Sequence, residues 1–89
     1  MRVPARTSQF RRDVKLAMKR SKDISKLERV LSCLVDESPL DVRLRDHPLK
    51  GGYAGRRECH IEPDWLLVYK LEPGTVIFER LGTHADLFE

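Results

Sequence analysis

The 89-residue sequence predicts a single α+β domain. Two N-terminal helices form an αα-hairpin packed on a twisted antiparallel sheet of about four strands, and a short helical turn closes the chain. Three observations predict it. Apolar residues recur at helical spacing through the first part of the chain. Runs of β-branched, aromatic and aliphatic residues follow, separated by Pro-containing turns. The length allows one core and no second lobe, and no linker or repeat divides residues 1–89.

Taken in order, Arg2–Arg6 is predicted as an edge strand, because Pro4 lacks the N–H a central strand needs. Phe10, Val14, Ala17 and Met18 form the apolar stripe of the first helix. Arg11, Lys15, Lys19, Lys22 and Lys26 form a basic stripe through the same region. Asp23 or Ser25 caps the second helix, whose buried face is Ile24, Leu27, Val30, Leu31, Leu34 and Val35. Ser38-Pro39 ends it, since the residue before Pro avoids helical angles. Leu40–Arg45 is a weak strand, and Asp46–Gly55 is loop. Arg56–Glu62, Trp65–Leu71 and Thr75–Leu81 are consecutive strands. Glu62-Pro-Asp-Trp65 and Glu72-Pro-Gly-Thr75 join them, with Gly74 supplying the positive φ of a type II turn. Thr83 and Asp86 have capping-box spacing for the final turn, pinned by Leu87 and Phe88.

Pairing Glu62 with Trp65 and Thr75 with Glu72 sorts the strands into faces. Cys59, Ile61, Leu66, Val68, Ile77 and Leu81 make the expected core face. Glu58, His60, Glu62, Trp65, Tyr69, Phe78 and Arg80 make the other. His60 and Arg80 then flank Leu67 in one row, their backbones roughly 10 Å apart. That span leaves room for one phosphate, with Asp64 at the turn beside it.

Charge is unevenly spread. Residues 1–35 carry ten Lys and Arg against three acids, and residues 36–89 carry seven against eleven. The basic half suits a polyanion or an acidic protein. No apolar run reaches the roughly 18 residues of a membrane span, and the N-terminus lacks a secretory signal's apolar core. Cys33 and Cys59 are too few for a disulfide framework, so both are expected as small core residues in a reducing cytoplasm.

Cleaving RNA without a metal needs a base for the 2′-OH proton, a cation for the phosphorane-like transition state and an acid for the leaving 5′-oxygen. Histidine, with an unperturbed value near 6.5, suits both proton roles, and Arg suits phosphate. His47, His60, Asp64, Arg80 and His84 supply every role. Trp65, Tyr53 and Phe88 offer faces on which bases stack. Taken singly, each has an ordinary reading: a half-buried strand histidine, a core tryptophan, a solvated basic stripe. Three histidines and one aspartate could also bind zinc, but the spacings are long and no close His pair is present. No metal and no cofactor is therefore expected. A non-catalytic basic binding module, such as a corepressor partner of an acidic protein, is the alternative from another class.

The run DHPLKGGYAGRRECHIEPDWLLVYK, followed by FERLGTHADLF, resembles the YafQ-type ribonuclease toxins of bacterial toxin–antitoxin pairs, in the RelE superfamily. The likeness spans residues 40–88, and FRRDVKLAMKR fits it too. It implies a RelE-like toxin domain: two helices on an antiparallel sheet with an N-terminal edge strand. It also implies a ribosome-dependent, metal-independent endoribonuclease that cuts mRNA in the ribosomal A site. A cognate antitoxin would hold it inactive, and operator DNA would be bound only through that complex. The family's catalytic set falls on His47 in DHPL, on His60, Asp64 and Trp65 in HIEPDW, on Arg80 in the ER dipeptide, and on His84 and Phe88. Which histidine is base and which acid stays open. The basic stripe would hold ribosomal RNA.

Overall fold

A computed structural model describes residues 1–88. β1 (Val3–Arg6) leads into α1 (Ser8–Lys19) and α2 (Ile24–Asp36). A 3₁₀ turn at Val42–Leu44 precedes β2 (His47–Pro48), and another at Gly51–Tyr53 precedes β3 (Arg57–Glu62). β4 (Trp65–Glu72), β5 (Thr75–Gly82) and α3 (His84–Phe88) complete the order. The sheet has five strands in the order β1-β5-β4-β3-β2. β1 lies parallel to β5, and the other neighbours are antiparallel. The sheet is thus mixed and five-stranded rather than a four-stranded antiparallel one. The helical hairpin and three intervening strands give the long return that a parallel neighbour requires.

The predicted helices form where the stripes place them. Thr7 caps α1, its Oγ1 accepting from the Phe10 N–H, and Asp23 caps α2 by accepting from the Ser25 N–H. Phe10 and Ala17 are buried with Leu27, Val30 and Leu34 of α2, whereas Met18 is exposed. The stripe on α1 is narrower than expected and carries Asp13 in its place. α2 stops at Asp36, ahead of Ser38-Pro39, through Glu37 in the left-handed region (φ 61°).

Leu40–Arg45 is not a strand. Asp41 accepts from the Arg43 N–H at 2.9 Å, and Arg45 adopts φ 51°; both curl the segment. The strand here is β2, inside the stretch expected as loop.

Both hairpin turns fall as predicted, with Glu62 opposite Trp65, Glu72 opposite Thr75, and Gly74 at φ 71°. Away from the turns, the register departs from a regular ladder. Ile61 in β3 and Glu79 in β5 have no cross-strand partner, so each strand carries a bulge. A bulge inserts one residue and inverts the parity beyond it. Trp65, Tyr69 and Phe78 therefore join Cys59, Ile61, Leu67 and Leu81 in the core facing the helices. Phe78 meets Phe10 with ring centroids 5.7 Å apart. Leu66 and Val68, expected in that core, lie on the opposite face, buried with Leu87 beside Leu49 and Tyr53; Ile77 is only half-buried. Among the described residues, no helix is long and apolar enough to cross a membrane.

Candidate active site

The bulges place the chemistry on the face away from the helices. His47 pairs with Glu58, Glu58 with Val68, and Val68 with Arg80, making one row across four strands. His60, opposite Leu66, stands in the next row, and Leu66 is opposite Gly82. His60 and Arg80 do share a face, but they do not flank Leu67. That expected row assumed unbulged strands. Both bulges move the partner by one residue, so parity between the two is kept.

Each histidine is held by its surroundings. The His47 Nδ1 lies 2.6 Å from the Arg45 carbonyl, and its Nε2 lies 2.9 Å from Glu58 Oε2. Asp46, the residue before it, accepts from Arg57 at 3.0 Å and from the Tyr69 hydroxyl. That anchors the short β2 against β3. The His60 Nε2 is 3.8 Å from the same Glu58 oxygen, and the rings of His47 and His60 are 6.1 Å apart. His84 follows at 6.4 Å from His60. Its backbone N–H donates to Asp64 Oδ1 at 2.9 Å, with Nδ1 3.8 Å from that oxygen. Asp64 therefore ties the β3–β4 turn to the start of α3 and lies against His84.

The last helix stands where it does because of a reciprocal cap. Asp86 N–H donates to Thr83 Oγ1 at 3.1 Å, and Thr83 N–H donates to Asp86 Oδ2 at 3.0 Å. Arg20, at the end of α1, adds a two-nitrogen contact to the Asp86 carboxylate at 2.6 and 3.2 Å. That bond, together with the Thr83 N–H, holds the Asp86 carboxyl at about 2.

Arg80 has a partner that sequence reasoning missed. Asp13, buried on α1, accepts from Arg80 Nε at 2.9 Å and from the Leu81 N–H at 2.9 Å. It also accepts from Gln9 at 3.0 Å and, more loosely, from Arg80 Nη2 at 3.4 Å. Asp13 is the main reason the guanidinium's pKa is raised, with a smaller contribution from Tyr53. A guanidinium fixed in this way engages Asp13 through two nitrogens. Glu58 was also missed, though it was placed on the right face. Its sign is its position two residues before His60, on the same side of a strand.

Of the aromatic residues expected to meet substrate, Phe88 lies beside His84, and Tyr53 beside Phe88. Phe88 packs 5.4 Å from His84 and 5.3 Å from Tyr53, whose hydroxyl donates to the Leu87 carbonyl at 3.2 Å. Trp65 is corrected: it is 2% exposed, in the helix-side core, with Lys22 over its ring at 5.4 Å, and it offers no face to a base. The basic stripe divides. Arg11, Lys15 and Lys19 lie on α1 away from the core, whereas Lys22 and Lys26 both bind Glu62, at 2.9 and 3.0 Å.

One donor set fits a metal ion. Ligand atoms of His47, Glu58 and His60 all lie within 4.8 Å of one another, and the buried Glu58 Oε1 has no hydrogen-bond partner. Two imidazoles and a carboxylate suit zinc or copper. The sequence spacing hid this set because β2 was not expected.

The structure thus sets a helical hairpin behind a mixed sheet, with three histidines, Asp64 and Arg80 on the front. Residues 2–89 match the family model described as the bacterial toxin of type II toxin–antitoxin system, YafQ, and the chain belongs to that family. It is 48% identical over 83 residues to the mRNA interferase toxin YafQ of Escherichia coli K12, covering 92% of this chain and 90% of that protein. The toxin in the crystal structure of the E. coli DinJ–YafQ toxin–antitoxin complex superposes with a TM-score of 0.92 at 46% identity, over 99% of this chain and 98% of that one. A metal-bound toxin from Helicobacter pylori superposes at 0.93 with 40% identity, over 99% and 100% of the two chains.

Proposed function

We propose that this toxin is a cytoplasmic, ribosome-dependent, metal-independent endoribonuclease that cuts mRNA in the ribosomal A site and so stops translation. The observation that carries it is the line of three imidazoles, with neighbouring rings 6.1 and 6.4 Å apart, a carboxylate at each end and Arg80 on the same face. Those groups match in-line attack of a 2′-oxygen on phosphorus. A base removes the 2′-OH proton as the O–P bond forms. Arg80 balances charge on the phosphorane, and an acid protonates the 5′-oxygen as its bond to phosphorus breaks, leaving a 2′,3′-cyclic phosphate. His60, within reach of Glu58, is the base. His84, oriented by Asp64, is the acid, with His47 as its alternate. Asp64, which accepts from the His84 N–H, is the group that orients His84. Phe88 and Tyr53 seat a base, and the α1 cations hold ribosomal RNA. One relative bears on this twice: YafQ of E. coli is called an mRNA interferase toxin, and a crystal structure shows it in a toxin–antitoxin complex with DinJ. A cognate antitoxin holds this chain in the same way, and operator DNA is bound through that complex.

Expression in a bacterium tests the reading. The parent is expected to arrest growth and leave mRNA cut within codons, and His84→Ala or Arg80→Ala to lose about 10²-fold or more in cleavage. Protein that binds RNA tightly yet leaves ribosome-bound mRNA intact would instead be the basic binding module. The His47–Glu58–His60 set supports a second chemistry, with a metal ion on those ligands. A bound ion would take the imidazole lone pairs that proton transfer needs. Cleavage that survives EDTA and falls on adding Zn²⁺ supports the metal-free reading; loss in EDTA with recovery on Zn²⁺ overturns that part.

A further inference from the structure

A phosphodiester has two flanking nucleosides, and the site described above seats only one. Phe88 and Tyr53 lie on the His84 side. A cleft of about 730 Å³, with His60 in its lining, opens between α2, the 42–44 turn and β3. That is within the range of small-ligand sites. We propose that this cleft is a second nucleotide subsite, holding the base and outer phosphate of the nucleotide across the scissile bond from the aromatic seat. The proposal rests on the endoribonuclease reading.

Four features fit a nucleotide. Val30, Leu40, Leu44 and Ile61 line the cleft and give a base an apolar surface. Arg29 and Arg45 stand exposed at its walls, and neither has an acidic partner among the described residues, so both are available to phosphate. Arg43 is pinned by Asp41 at 2.9 and 3.2 Å, which fixes a guanidinium plane for stacking. β2 pairs with Arg57 and Glu58, and among the described residues no strand pairs with the outer edge of β3 beyond them, which leaves that edge to hydrogen-bond base edges. Arg45 joins the two sites directly, since its carbonyl contacts His47 Nδ1 at 2.6 Å while its side chain lines the cleft.

The chain carries its own reporter. Cys33 lines the cleft and is partly exposed, whereas Cys59 is buried and its thiol is pushed up to about 12. A non-cleavable RNA hexamer, 2′-O-methylated throughout, is expected to slow alkylation of Cys33 several-fold, and inorganic phosphate at the same concentration is not. Two variants attack the cleft separately, Arg29→Glu by charge and Leu44→Trp by volume. On ribosomes carrying a defined mRNA, each is expected to raise KM about 10-fold, to keep kcat within about 3-fold, and to relax nucleotide preference on one side of the cut. A parent that cleaves nothing defeats the endoribonuclease reading itself. A cleaving parent whose variants match it in KM and preference, with Cys33 unprotected, defeats the subsite alone. Variants that cleave normally but bind the antitoxin more weakly also overturn it, and assign the cleft to an acidic peptide.

Discussion

Asp13 decides how Arg80 is presented. It is 7% exposed and accepts from the guanidinium and from a backbone N–H, so the cation is fixed before any substrate arrives. Asp13→Asn keeps the shape but turns an amide N–H toward Arg80. Cleavage is expected to fall about 10-fold or more in kcat with KM little changed, for a stability loss of about 2 kcal/mol by thermal unfolding. Guanidinium added to Arg80→Ala separates positioning from folding. Rescue is expected with Asp13 intact and absent in the Arg80→Ala, Asp13→Asn double variant; equal rescue in both would reduce Asp13 to a structural role. The sequence held a sign of this residue, because an acid stands inside the apolar stripe between Phe10 and Ala17. Of the neighbouring histidines, His60 was legible for a different reason. A ring nitrogen on a strand face needs only parity to be placed, whereas Asp13 reaches Arg80 across 67 residues, a distance no local pattern records.

At the level of elements, the turns were readable and the bulges were not. Pro63-Asp64 and Pro73-Gly74 have dihedral needs written in their residues. A bulge at Ile61 or Glu79 needs no special residue, so the faces of β4 came out inverted near the site. The run Trp65–Tyr69 is apolar at every position, which is the signature of a strand buried on both sides. The small layer formed by Leu49, Tyr53 and Leu87 follows from it. β2 was hidden because two residues leave no periodicity. α3 is the element most open to test. Five residues cannot hold a helix by propensity, so the Thr83–Asp86 cap and the Arg20 contact must. Thr83→Ala is expected to cost about 1 kcal/mol. Gly82→Ala should be worse for activity, because its Cβ would fall 2.8 Å from the Asp86 Cβ and push α3, with His84 and Phe88, off the face. Acid exposes the same element. Asp86 sits at about 2 against an ordinary 3.8, a depressed carboxyl. Its contribution is therefore complete above about pH 4 and declines as pH falls toward about 2. The Tm advantage of the parent over Asp86→Asn is expected to shrink across that window; an advantage that stays constant would mean the charge contributes nothing.

Across the whole molecule, the charge asymmetry of the two halves survives folding, but not every cation is free to act. Lys22 and Lys26 close on Glu62, and Lys22 also covers Trp65. They brace α2 and the β3–β4 turn. Arg11, Lys15 and Lys19 stand on α1 without acidic partners among the described residues. Binding to ribosomal RNA through such cations releases counterions, and removing one phosphate-binding cation lowers the slope of log K against log salt by about 0.7–0.9. Replacing Arg11, Lys15 and Lys19 by Gln is expected to flatten that slope by roughly 2–3 in ribosome-binding titrations, while cleavage at saturating ribosomes stays near the parent's. Replacing Lys22 and Lys26 by Gln should leave the slope unchanged and lower Tm instead, because those charges are already neutralised within the fold. Equal flattening by both sets of substitutions would mean that the Glu62 pairs open on the ribosome and the whole stripe binds. If neither set changes the slope, the toxin docks by another face and α1 is simply a solvated surface.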